Sequence, residues 1–327
     1  LPSSNVWLIV LIVILSLLVL ALILIALVAF LARKAWHMVF DRPYPRPLVD
    51  RSPKNINQDT LFGRGQNWFY TNRLDFLDLS VTAYDGIKLA GYYRPAERRD
   101  SKKLVILLHG YKDVASGMGV FAQVYLQKCD CHILIPHMRA HGMSYGAYTG
   151  YGLAESQDLI SWIRYMQKIL GKDLRIICHG RSMGAATVLL AAGSGRLPPE
   201  VKGVVADSSF TSLFALVRHM MRKRYHVAPR FFIREISRVA GRHIEYRPEK
   251  VSPIARADRI SIPVLLIHGA EDSVIPPAHS EELYQRIRSP KRLLYVEGAD
   301  HVETYDIAPS AYSTEIDRLL EVSGFFM

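Results

Sequence analysis

Leu174-Arg-Ile-Ile-Cys-His-Gly-Arg-Ser182-Met-Gly184-Ala-Ala-Thr-Val-Leu-Leu-Ala-Ala192 is the stretch that decides the fold. A short apolar run leads into Gly180-Arg181-Ser182-Met183-Gly184, and an Ala/Leu-rich segment of high helix propensity follows. The order is strand, sharp turn, helix, with a serine at the turn. Gly180 and Gly184 lack a Cβ, so strand and helix can approach closely around a strained bend. Such a bend lifts a hydroxyl clear of the backbone at the carboxyl end of a sheet, beside a helix N-terminus. G-x-S-x-G alone is a weak signal; a strand before it and a helix after it are the context of a nucleophile elbow. The competing reading is an ordinary serine at a tight turn.

Outward from this stretch the same rhythm repeats. Upstream, Phe76–Ala83 and Lys88–Tyr93 are joined through Asp85-Gly86 and read as a β-hairpin. Lys103–Leu108 and His132–Ile135 read as buried strands, with a helix near Gly119–Lys128 between them and an amphipathic helix over Glu155–Leu170 after them. Downstream come strand Val201–Ala206, strand Val264–His268, helix His279–Ile287, strand Arg292–Val296 and a helix near Pro309–Leu320. Apolar strands alternating with helices make this an α/β protein with a mostly parallel, doubly wound sheet, the antiparallel hairpin at one edge. Phe210–Pro248 interrupts the rhythm with helical, basic, aromatic sequence.

The chain has 327 residues, 50% of them hydrophobic, and a net charge of +11. Val6–Ala32 is almost purely apolar and uncharged. It exceeds the roughly 20 residues needed to span a bilayer and the roughly 7–15 of a signal-peptide core, so a transmembrane anchor is expected over 1–34. Arg33, Lys34, His37, Arg42, Arg46, Arg51 and Lys54 follow it. The positive-inside rule then places the remainder in the cytoplasm; a basic segment ahead of Leu1 would reverse the orientation. Asp41–Gly65, rich in Pro, Arg, Asn and Gly, reads as a linker or arm, giving an arm over 35–66 and one large domain over 67–327 with an insert at 210–248. The basic balance comes with no nucleic-acid motif, and an anionic membrane surface is the simpler partner. Cys129, Cys131 and Cys178 form neither a disulfide framework nor a metal-spaced set, and neither a metal nor a cofactor is expected.

A serine hydroxyl needs a base, and the base needs a group to orient it. In an open α/β sheet these come from loops at the carboxyl ends of other strands. Two loops supply them: Gly269-Ala-Glu-Asp272-Ser-Val-Ile-Pro276 and Glu297-Gly-Ala-Asp-His301. The chain order Ser182, Asp272, His301 is that of the α/β hydrolases. From about Phe76 to Leu320 the chain resembles that superfamily, and within it the membrane-anchored serine hydrolases related to Bem46-like and abhydrolase-domain (serine aminopeptidase-like) proteins. The resemblance rests on Leu107-Leu-His-Gly-Tyr111, Arg139-Ala-His-Gly-Met-Ser144, the elbow, Asp207-Ser-Ser-Phe-Thr-Ser212, His268-Gly-Ala-Glu-Asp272 and Gly298-Ala-Asp-His301.

The resemblance implies an α/β-hydrolase fold in which Ser182 is the nucleophile, His301 the base and Asp272 the orienting acid, with Asp207 as the alternative acid. It implies an oxyanion hole from the backbone N–H groups of Tyr111 and Met183, a local hydrogen-bonding role for His109 and His268, a structural one for His141, and a packed His179. It also implies that the insert is a cap over the nucleophile. The family often carries Asp where Pro136 or His137 stands, so the bracing of the Arg139 loop departs from the pattern. The expected activity is hydrolysis of an ester, thioester or amide through an acyl-enzyme, with a lipid or other acyl ester favoured by the anchor. A serine peptidase and a catalytically silent, membrane-tethered interaction module are the alternatives. The insert's Arg residues, interleaved with apolar ones at helical spacing, also resemble an interfacial helix.

Overall fold

The structure, a computed structural model, describes residues 4–42, 59–226, 230–241 and 247–326. Among these, eight strands form one sheet in the order β1-β2-β4-β3-β5-β6-β7-β8. The hairpin β1 (Leu77–Thr82) and β2 (Lys88–Arg94) forms the antiparallel edge, and β2 pairs antiparallel with β4 (His132–Pro136). The rest run parallel: β3 (Lys103–Leu108), β5 (Arg175–Arg181), β6 (Val201–Asp207), β7 (Val264–Gly269) and β8 (Lys291–Val296).

Successive strand side chains point to opposite faces, and here both faces are covered, so the inner strands are apolar without alternation. Leu104, Ile106 and Leu108 of β3 pack with Leu159, Trp162 and Ile163 of α4 (Leu153–Leu170) and with α5 (Met183–Ala192). Val105 and Leu107 face the other way, onto Phe121 and Tyr125 of α3 (Gly119–Lys128) and Tyr312 and Ile316 of the last helix, Pro309–Val322. The cores on the two faces hold the strand ends, and so the loops that follow them, in fixed positions.

Helix α1 (Ser4–Phe40) carries one stretch, Asn5–Lys34, long and apolar enough to cross a membrane. Residues 5–27 of it are exposed, whereas Ala32 and Phe40 are buried.

The expected arm over 35–66 differs from what is observed. Its residues 43–58 lie outside the described residues. Before them, α1 runs on to Phe40 and docks: Phe40 is buried and edge-on to Tyr151, and Arg42 donates to the carbonyls of Gly142 and Ser144 at 2.6 and 2.7 Å. After them, Leu61–Thr71 forms helix α2, capped by Thr60, whose hydroxyl accepts from the N–H of Gly63. Gly65, which reads as a loop former, serves close packing instead. A Cβ on Gly65 would lie 2.2 Å from Cβ of Val120 in α3.

The insert folds into α6 (Leu213–Tyr225) and α7 (Arg230–Ala240). Two charged residues of the insert, Arg242 and Glu245, lie outside the described residues. The remaining helices are α8 (Ala278–Arg286), α9 (Thr304–Ile307) and α10 (Pro309–Val322).

Candidate functional site

Ser182 stands between β5 and α5 with φ 54°, a left-handed conformation uncommon for a residue with a Cβ. Its surroundings impose that strain. A Cβ on Gly180 would lie 2.1 Å from the Gly184 carbonyl oxygen, and one on Gly184 would lie 2.2 Å from that of Leu108. No side chain fits at either place, so strand and helix close into the bend. The Ser182 N–H is held by the Asp207 carbonyl at 2.7 Å. Met183 is the first residue of α5, and the first N–H groups of a helix have no intrahelical acceptor.

The loops after β7 and β8 bring the other two groups to the same point. His301 Nε2 lies 3.0 Å from Ser182 Oγ, and His301 Nδ1 lies 2.7 Å from Asp272 Oδ2. Asp272 is buried, which by itself would raise its carboxyl pKa. Hydrogen bonds from His268 and His301, and from the backbone N–H of Ile275, outweigh that cost and hold it below the ordinary carboxylate range. Its Oδ1 accepts from the N–H groups of Val274 and Ile275 at 2.9 and 2.7 Å. An ionised Asp272 can only accept, so Nδ1 of His301 donates and Nε2 presents its lone pair to the serine hydroxyl.

The loop after β3 passes beside the serine. A Cβ on Gly110 would sit 3.4 Å from Ser182 Cβ. Two buried histidines set this loop. His109 Nε2 accepts from the N–H of Met138 at 3.0 Å, so its protonated Nδ1 donates to the Gly110 carbonyl at 2.8 Å. His141 Nε2 accepts from the N–H of Lys112 at 3.1 Å and its Nδ1 donates to the Arg139 carbonyl at 2.8 Å. They tie residues 109–112 to residues 138–141 and place Tyr111 next to the elbow. Arg139 is braced by Asp158 and Asp85, not from position 136 or 137.

The other candidates separate from this cluster. Asp207 directs its carboxylate at Thr304 (2.9 Å), Tyr312 (3.1 Å) and Ser208 (3.0 Å), and burial raises its pKa. His179 is buried between the Tyr312 and Tyr125 hydroxyls. His268 bonds Ser280 and the Ile275 carbonyl and also lies 3.2 Å from Asp272 Oδ2. That last contact was not foreseen; its sequence signal is the four-residue spacing from His268 to Asp272 across a tight turn. Also unforeseen is Lys223 of α6, which donates to the carbonyl of Ser273, the residue after Asp272, at 2.6 Å. Among the described residues, no three His, Cys, Asp or Glu side chains are grouped to hold a metal ion.

Chemically, the arrangement can activate a hydroxyl, shuttle its proton and offer N–H groups to an anion.

Residues 103–247 match the family model described as alpha/beta hydrolase fold, and residues 252–306 match the one described as serine aminopeptidase, S33. The uncharacterized protein YqkD of Bacillus subtilis is 29% identical over 240 residues, which cover 72% of this chain and 76% of that protein. The lysophosphatidylserine lipase ABHD12 of Danio rerio is 26% identical over 219 residues, covering 62% of this chain and 55% of the lipase. The solved Pyrococcus furiosus esterase Pf2001 superposes with a TM-score of 0.61 at 22% identity, over 77% of this chain and 94% of the esterase. The Pyrococcus horikoshii acylaminoacyl peptidase gives 0.57 at 16% identity, over 75% of this chain and 41% of the peptidase. Likeness at these identities speaks to the fold alone.

Proposed function

Since the chain belongs to the α/β-hydrolase superfamily, we propose that it is a serine hydrolase that cleaves an ester, and foremost an acyl ester of lipid character, through an acyl-enzyme. The observation that carries this reading is the hydrogen-bond chain Ser182–His301–Asp272, at 3.0 and 2.7 Å. Ser182 Oγ attacks the carbonyl carbon as its proton passes to His301 Nε2. The new oxyanion lies against the N–H groups of Tyr111 and Met183, donors already aimed at the developing charge; losing one such donor costs on the order of 10²–10³ in kcat. Collapse expels the alcohol, which takes the proton from His301. Water then repeats the sequence on the acyl-enzyme. Asp272 holds the imidazole tautomer and stabilises the imidazolium.

Lipid character is supported by location. α1 carries a stretch suited to crossing a bilayer, and its end at Val39–Arg42 docks beside Tyr111, so a substrate resident in the membrane is within reach. The basic residues after the span favour the cytoplasmic side for the catalytic domain, which protease protection in sealed vesicles would check. The serine aminopeptidase match over 252–306 favours one second reading, an amide substrate.

The test is labelling by a fluorophosphonate probe followed by turnover of p-nitrophenyl esters of graded chain length beside aminoacyl anilides. The full chain should be labelled and Ser182→Ala should not. Turnover should rise with acyl length; anilide cleavage without ester cleavage would favour the peptidase. Asp272→Asn should cripple turnover through the wrong tautomer, while Asp207→Asn should leave a larger residual rate. The reverse ranking would move the acid to Asp207.

A further inference from the structure

Helix α7 carries Arg230, Arg234 and Arg238 four residues apart, which places them in one exposed stripe. Its other face, with Ile233 and Ser237, is buried and lines an apolar crevice with Val39 and Phe40 of α1 and Leu213 and Val217 of α6. Arg238 is paired with Glu235, but among the described residues no carboxylate pairs with Arg230 or Arg234. Phe231, between Arg230 and Arg234 in sequence, is 65% exposed, so its ring and the two guanidinium groups reach the same surroundings.

The position of α7 supplies the explanation. It packs against α1. A hydrocarbon layer of about 30 Å takes up about 20 helical residues. Counted from Val6, the span leaves that layer near residue 26, and cover on α1 begins at once, with Val28 and Ala29 half-buried and Ala32 fully buried. The α1 residues seated beside α7, Val39 and Phe40, follow Arg33 and Lys34 at this same end of the span, so α7 sits on the side of the bilayer where α1 emerges. A cationic stripe with an exposed ring beside it matches an interfacial helix on an anionic surface.

We infer that α7 lies in the headgroup layer of the bilayer that α1 crosses, with Arg230 and Arg234 on the phosphates of anionic phospholipids and Phe231 at the acyl boundary. The inference rests on the membrane reading of α1. It does not depend on the chemistry at Ser182.

The test uses the full chain in lipid nanodiscs, with amide hydrogen exchange of residues 230–240 as the readout, so failure of the hydrolase reading would not disturb it. One set of discs is phosphatidylcholine alone; in the other roughly a third of the lipid is phosphatidylglycerol. Exchange in α7 should slow in the anionic discs, by up to about fivefold for each engaged arginine. The slowing should vanish at high salt and in the double variant Arg230→Gln/Arg234→Gln. Exchange in β3 and β5 should be the same in both disc types and both proteins, which separates lost docking from lost folding. Equal exchange of α7 in the two discs, or slowing that survives the double variant, would overturn the inference. So would slowing in phosphatidylcholine discs on adding inorganic phosphate, which would make this a free-anion site.

Discussion

The Tyr111 hydroxyl donates to the carbonyl of Val39 at 3.1 Å, and the Tyr151 hydroxyl donates to the same carbonyl at 2.8 Å. The last carbonyls of a helix have no intrahelical donor, and here the site's own loop satisfies one of them. One residue thus links the end of α1 to the N–H proposed to receive the oxyanion. Tyr111→Phe keeps the ring and its contact with Tyr151 but removes a hydrogen bond worth about 1 kcal/mol. We expect kcat on a soluble ester to fall about threefold to tenfold with KM nearly unchanged, because the loss is one of donor placement. Tyr151→Phe should lower the melting temperature with little effect on kcat. Equal effects of the two variants on kcat would mean that the link is structural only.

The same docking bears on where the chain can be cut. Deleting residues 1–34 removes the apolar span and leaves Val39, Phe40 and Arg42 in place. That protein should be soluble and turn over a water-soluble ester at the full-length rate. Extending the deletion through Arg42 removes a buried phenylalanine, worth about 2–3 kcal/mol, and the two hydrogen bonds from the Arg42 guanidinium. It should melt several degrees lower and lose activity. Equal stability and activity of the two truncations would restore the view of 35–42 as a plain linker.

Why that segment misled is a physical matter. The strands were legible because both sheet faces are covered, so runs such as Leu104–Leu108 and Val264–Ile267 are apolar throughout. The elbow was legible because only glycine fits at 180 and 184. Glycine in Leu61-Phe-Gly-Arg-Gly-Gln-Asn-Trp carried the opposite meaning: it lets two helices touch, and nothing local distinguishes that use from a turn. The choice between Asp272 and Asp207 could be argued only from chain order and motif. The partners that separate them come from elsewhere in the chain: Thr304 and Tyr312 reach Asp207 across 97 and 105 residues, and His301 reaches Asp272 across 29. The docking of Phe40 on Tyr151 is likewise a contact across more than a hundred residues, with no periodic signal to announce it.

The elbow glycines give a prediction that separates folding from catalysis. Gly184→Ala would push a methyl group to 2.2 Å from the Leu108 carbonyl oxygen, where strand and helix backbones must both move. Overpacking of this kind costs about 1–3 kcal/mol or more, so the variant should express poorly and melt well below the parent. Gly110→Ala places its methyl at an ordinary 3.4 Å from Ser182 Cβ and 3.9 Å from Ser182 Oγ. It should fold normally, as read by its melting curve, yet lose turnover because the methyl occupies space beside the nucleophile. A Gly110→Ala protein with full activity would put the substrate on another side of Ser182.

The buried histidines set how stability falls in acid. His137, His141 and His179 are almost fully buried, and burial pushes each down to about 3, assisted by nearby guanidinium groups: Arg73 and Arg42 for the first, Arg42 for the second and Arg181 for the third. In the unfolded chain a histidine titrates near 6.5. Above that pH neither state binds the proton. Between about 6.5 and 3 the unfolded chain takes it up and the folded chain does not, so stability declines as pH falls through this window. Each such group contributes a slope of roughly 1.4 kcal/mol per pH unit. Buried carboxylates titrate in part of the same range, and a variant comparison removes them. His137 is the suitable position, because neither ring nitrogen has a hydrogen-bond partner among the described residues and no such bond is lost with it. His137→Leu should match or slightly trail the parent at pH 7 in urea unfolding followed by circular dichroism. By pH 5 it should gain on the parent by roughly 2 kcal/mol, since the parent alone carries the proton debt at this site. Parallel stability curves for the two proteins from pH 7 to 5 would show that His137 is protonated in the folded state, against the burial that the fold imposes on it.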